Sequence, residues 1–117
     1  MLLTIFSILL LFSAASFLFY GINSFTSNFI IQEFLRYGIP KYRKLTGWLQ
    51  LLGALGIIIG FWINYIQIIS TFGLAMLMLF GVTTRILIKD SFLKILPALL
   101  YCILNAYLFI ELIPDSL

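Results

Sequence analysis

The polar chemistry inside the apolar stretches of this chain rests on three side chains: Gln50, Tyr101 and Asn105. Gln50 stands about one turn inside an apolar run. Tyr101 and Asn105 are four apart, so on a helix they share a face, one turn from each other. Two chemistries suit such residues. They can build a polar ligand site between helices, for a quinone, a lipid or another small molecule. They can instead hydrogen-bond from helix to helix, worth ~0.6 kcal/mol per bond on average. One amide per helix fits the second pattern more simply.

The rest of the inventory is restrictive. Histidine is absent, and with it the commonest general base and metal ligand. Bis-histidine haem and Ser-His-Asp or Cys-His sets are excluded, and ordinary zinc or di-iron sites are not expected. Cys102 is the single cysteine, so an intramolecular disulfide and a dithiol redox pair are excluded. No Asp, Glu, Lys or Arg lies at the centre of an apolar run, where proton-coupled transporters need one. Small four-helix multidrug exporters resemble the chain in length and span count. They carry a glutamate in the first span, and this sequence has none. The expectation is no catalytic residue, no metal and no cofactor, with quinone possible only under the ligand-site reading.

The elements that position these residues follow from composition. Of 117 residues, 63% are hydrophobic and 9% charged, whereas a soluble domain is nearer a quarter charged. So few charges cannot cover a water-soluble surface, so the remainder must meet lipid or protein. Residues 2–20 carry no charge and are long enough to cross a ~30 Å hydrocarbon core. No Lys or Arg precedes them, which favours a first span over a signal peptide. Residues 28–37 put Ile30, Ile31, Phe34 and Leu35 on one helical face and Gln32, Glu33 and Arg36 on the other. This predicts a short amphipathic helix at the interface, closed by Gly38 and Pro40. Residues 45–84 hold no charge, and as one helix would measure about 60 Å. The run must fold back, and Trp62, Asn64, Tyr65 and Gln67 suit a turn at the water boundary. The second span is thus about 46–62 and the third about 67–84. Asp90 or Ser91 can cap a fourth, about 92–113, with Pro97 inside it and its end near Glu111 and Pro114.

The expected fold is all-α: a four-transmembrane-helix bundle with one interfacial helix, residues 1–117 forming a single membrane domain. All seven Lys and Arg fall in the first and third loops. An even number of crossings puts those loops on one side, and the positive-inside rule makes that side cytoplasmic. Both termini then face outward, with Glu111 and Asp115. The net charge of +3 is thereby explained by orientation, without nucleic acid. Arg36, Lys41, Arg43, Lys44, Arg85 and Lys89 can also meet anionic lipid or a partner protein. Gly53, Gly56 and Gly60, with Ser70, Gly73 and Gly81 and with Ser13 and Ser16, predict close contacts among the first three spans.

Residues 34–60 read FLRYGIPKYRKLTGWLQLLGALGIIIG: a short helix, a G-I-P turn, basic residues, then G-x-L-x-L-L-G-A-L-G. With RILIKDSFLKILPALLY at 85–101, this resembles the DoxX-like family of small four-helix membrane proteins. Many relatives have a glutamate at the position of Gln50, so a role needing a charge there does not transfer. Some members of the family are associated with thiosulfate:quinone oxidoreductases or thiol-stress complexes. Distant eukaryotic relatives act as cargo receptors or receptor-assembly chaperones. The resemblance implies a multi-pass protein of a bacterial cytoplasmic (inner) membrane, an accessory subunit or assembly partner without catalysis of its own. Membrane lipids and a protein partner or second copy are the expected contacts. A quinone-handling oxidoreductase subunit is the alternative, and a small-molecule transporter is weaker.

Overall fold

In a computed structural model the described residues are 5–113, and among them all regular structure is helical. The chain runs α1 (Ile5–Thr26), α2 (Asn28–Tyr37), a single 3-10 turn (Pro40–Tyr42), α3 (Arg43–Ile59), α4 (Asn64–Leu87) and α5 (Phe92–Leu112). The bundle measures 45 × 25 × 22 Å. Helices α1, α4 and α5 are long and apolar enough to cross a membrane, with mean hydropathies of 2.2, 1.9 and 1.9. Helix α3 has 17 residues, about 25 Å of rise, and is shorter than those three. The expected starting residues Leu2–Thr4, and Pro114 and Asp115 at the far end, lie outside the described residues.

Packing proceeds by neighbours: α1 against α3, α3 against α4, α4 against α5, while α1 and α5 meet more sparsely. The core is a thin seam of Leu10, Ala14 and Phe17 from α1, Ala54 and Ile57 from α3, Leu74 from α4 and Leu108 from α5. Outside that seam large apolar side chains stand exposed on every long helix, among them Phe12, Leu52, Phe80 and Ile103. Such a surface suits lipid tails and not water.

Two element boundaries differ from the sequence expectation, for identifiable reasons. The polar stretch after residue 20 does not leave the helix, and α1 continues to Thr26. Ser24 and Thr26 return their hydroxyls to the carbonyls of Tyr20 and Ile22, at 3.0 and 3.2 Å, so they need no water there. The turn expected at Trp62, Asn64, Tyr65 and Gln67 lies earlier, between Ile59 and Asn64. Gln67 is not a water-facing turn residue. It is buried, and its Nε2 donates to the Ile57 carbonyl at 2.9 Å, in the last turn of α3. Helix α2 covers Asn28–Tyr37, the stretch with the amphipathic pattern. It stops where Gly38 adopts φ +80°, a conformation open to glycine at little cost. Pro97 lies inside α5, which runs on through it. Ser91 occupies the N-cap position of α5 without a side-chain capping bond.

Candidate functional site

The buried polar groups form two sets of contacts between helices. Asn105 is fully buried on α5; its Oδ1 accepts from Ser13 Oγ of α1 at 2.9 Å, and its Nδ2 donates to the Tyr101 carbonyl at 2.9 Å. One turn away, Tyr101 donates its hydroxyl to Ser16 Oγ at 3.0 Å. Its ring sits between Phe17 and Tyr20 of α1, at 5.4 and 5.6 Å between centroids. On α3, Gln50 is buried, and its Nε2 reaches Ser24 Oγ at 3.2 Å and the Thr46 carbonyl at 3.4 Å. Ser13, Ser16 and Ser24 are thus hydrogen-bonding partners as well as small residues, a role that composition alone does not reveal.

Gln50 and Tyr101 share a cavity of about 490 Å³; Asn105 is not among its lining residues. Its walls come from α1, α2, α3, α4 and α5, and they are largely apolar, with Tyr20, Ser24 and Gln50 adding polar atoms. The Gln50 Oε1 accepts no hydrogen bond among the described residues, yet no buried side-chain oxygen or nitrogen there lacks a partner, so this oxygen is open to the cavity.

One end of the cavity is rimmed by charge: Glu33 and Tyr37 of α2, Arg85 of α4 and Lys94 of α5. Arg36 binds Glu33 in a two-pronged pair, at 2.6 and 3.0 Å, and reaches Asp90 in the α4–α5 turn at 2.6 and 3.1 Å. The pair within α2 is local. The bond to Asp90 ties α2 to the α4–α5 turn. These bonds from Arg36 hold the Glu33 and Asp90 carboxyls below their ordinary values and raise Arg36 itself. Tyr37 lies between the two guanidiniums, 5.3 Å from Arg36 and 5.2 Å from Arg85. Burial pushes its phenol up to about 12.

The remaining cations are dispersed. Arg43 donates to the Ser24 carbonyl, at the base of α1's polar turn. Lys41 stands over the Tyr42 ring at 5.3 Å, and Lys44 and Lys89 are exposed. The glycines divide into two kinds. A Cβ on Gly53 would lie 2.6 Å from Leu74 Cδ2, one on Gly56 would strike Ser70, and one on Gly60 would lie 2.8 Å from the Gln67 Cα. A Cβ on Gly81 would only touch Ala98, at 3.8 Å, and one on Gly73 would meet nothing within 4 Å.

Chemically the arrangement offers hydrogen-bond acceptors, an aromatic wall and cations at a mouth. Among the described residues it sets no group of three or more His, Cys, Asp or Glu where a metal ion could be held. Sequence reasoning missed the Arg36–Asp90 bond, although it placed both residues on one side of the membrane, and that was the available signal.

Among known proteins, a family model described as the DoxX-like family matches residues 8–107. No curated protein and no solved structure matches the chain.

Proposed function

From the premise that this chain belongs to the DoxX-like family, we propose that it is a four-crossing accessory subunit, docking against another transmembrane segment. A groove on the lipid-facing side of α3 and α4 carries this reading. Gly53, Ser70 and Gly73 line it, between Leu49 and Phe80, and its volume is about 360 Å³. Among the described residues nothing lies within 4 Å of a Cβ placed on Gly73. Small residues that allow close backbone approach are what transmembrane helices use to associate, since burial from lipid gives no drive of its own. Purification of the tagged protein in mild detergent tests it. The expected result is a companion polypeptide or a second copy that is lost in Gly73→Leu. Monomer alone, with or without the substitution, would overturn it.

Four crossings require α3 to traverse the membrane with 17 residues. Lys41, Arg43 and Lys44 at one end and Trp62 beyond the other can anchor it at the two interfaces. The Arg36–Asp90 bond supports an even count, because it joins the first loop to the third across 54 residues of sequence. In a Cys102→Ser background, single cysteines at Lys41 and Lys89 should label from the same side, the cytoplasmic face of an inner membrane. Labelling from opposite sides would refute the count.

A second reading, a quinone-handling subunit, is favoured by the open Oε1 of Gln50 at the cavity wall, which can accept from a quinol hydroxyl. Quinone retained by the purified protein and lost in Gln50→Leu would support it. Quinone content unchanged by the substitution would remove it.

A further inference from the structure

The charged rim of the cavity contains a group with unused binding capacity. Arg85 is three-quarters covered, yet its guanidinium donates no hydrogen bond among the described residues. Its nearest carboxylate oxygens, on Glu33 and Asp90, stand at 3.9 and 3.8 Å, the long limit of an ion pair. Its approach to the Tyr37 ring, 5.2 Å from the centroid, is a cation–π contact and not a hydrogen bond. Glu33 and Asp90 are already engaged by the shorter bonds of Arg36. The ammonium of Lys94, on the same rim, makes no direct hydrogen bond or ion pair among the described residues. Arg36, Arg85 and Lys94 thus face the two carboxylates of Glu33 and Asp90, which leaves one positive charge in excess.

Behind this mouth lies the apolar cavity, within the ~300–1,000 Å³ range usual for small-molecule sites. A guanidinium edge suits a planar carboxylate, to which it gives two parallel hydrogen bonds. We infer that the cavity holds a long-chain fatty acid, its carboxylate on Arg85 and Lys94 and its chain running inward past Tyr20 and Tyr101. One excess positive charge matches one carboxylate, and an apolar body matches the walls. The docking groove borders this cavity at Leu77 and Phe80, but the charged rim on Arg85 and Lys94 is no part of it.

The test is equilibrium binding of radiolabelled palmitate to the full-length protein in nanodiscs of zwitterionic lipid, with hexadecanol as the uncharged competitor. Palmitate should bind, and hexadecanol should displace it at least tenfold less well than unlabelled palmitate does. Lys94→Gln should weaken palmitate about threefold, as expected for an exposed charge. Arg85→Gln should weaken it about tenfold or more, as expected for a hydrogen-bonded charge. Arg85→Lys, which keeps the charge but not the planar fork, should fall between wild type and Arg85→Gln, and thermal unfolding of each variant guards against loss of fold. Equal competition by hexadecanol would overturn the inference. So would palmitate binding unaffected by both neutral substitutions, or selective uptake of a neutral quinone in place of palmitate. Failure of the docking reading, scored by the companion polypeptide, would leave these results unchanged.

Discussion

Replacing Gly56 by alanine probes the closest approach of α3 to α4. The added methyl would strike Ser70 Oγ and lie 3.0 Å from Ser70 Cβ. The hydroxyl can rotate aside; the Cβ cannot, because it is fixed to the α4 backbone. Overpacking of this kind costs ~1–3 kcal/mol, while alanine in place of glycine favours a helix by ~1 kcal/mol. The expected net effect is a loss of up to about 2 kcal/mol. Gly73→Ala supplies the reference, since its methyl meets nothing within 4 Å and retains the propensity gain alone. The difference between the two variants therefore isolates the collision, at ~1–3 kcal/mol. Reversible unfolding in mixed micelles, followed by circular dichroism, measures both. Adding Ser70→Ala to Gly56→Ala should recover part of the loss, because it removes the hydroxyl but leaves the Cβ contact. Equal stability of Gly56→Ala and Gly73→Ala would refute the packing argument, as would a double variant no better than the single one.

Gly60→Ala should cost at least as much as Gly56→Ala in the same assay, since its methyl would meet the Gln67 Cα at 2.8 Å and backbone cannot rotate away. Ser13→Ala and Asn105→Leu, compared singly and together, should show a coupling of ~0.6 kcal/mol, and additivity would deny the Ser13–Asn105 bond an energetic role. The tie between α2 and the α4–α5 turn should respond to acid in one direction only. Glu33 and Asp90 have folded values lowered from 4.5 and 3.8. The stability they add is therefore fully present above those ordinary values and lost as pH falls through the lowered ones. Spin labels at Gln32 and Lys89 should hold a constant separation from neutral pH down to the ordinary carboxylate range and move apart below it; separation beginning near pH 6 would contradict the assignment.

Much of this fold is legible in the sequence where pattern and punctuation agree. Helix α2 follows from Ile30, Ile31 and Phe34 opposite Gln32, Glu33 and Arg36, with Gly38 as its stop. Legibility fails where a polar side chain finds its partner inside the protein. Ser24 and Thr26 look like loop residues but bond to their own helix. Gln67 looks like a turn residue but reaches back to α3. Gln50 and Tyr101 can be picked out as polar residues in apolar surroundings, but their shared cavity depends on how five helices meet. The rim depends on Arg36 and Asp90 meeting at long sequence separation, which no local pattern encodes.

The connection between α3 and α4 satisfies its main chain on the approach but not at its apex. The carbonyl of Gly56 accepts from the Gly60 amide, that of Ile58 from Phe61, and that of Ile59 from both Trp62 and Ile63, while Gln67 covers Ile57. An open loop with free carbonyls must stay among the headgroups, where solvent is at hand. The carbonyls of Gly60, Phe61 and Trp62 accept no hydrogen bond among the described residues, so the apex of this bend belongs at that wet boundary. The 17 residues of α3 therefore have to bring an unsatisfied apex to solvent at one end while the cations at 41–44 hold the other, which favours a locally thin bilayer around this hairpin.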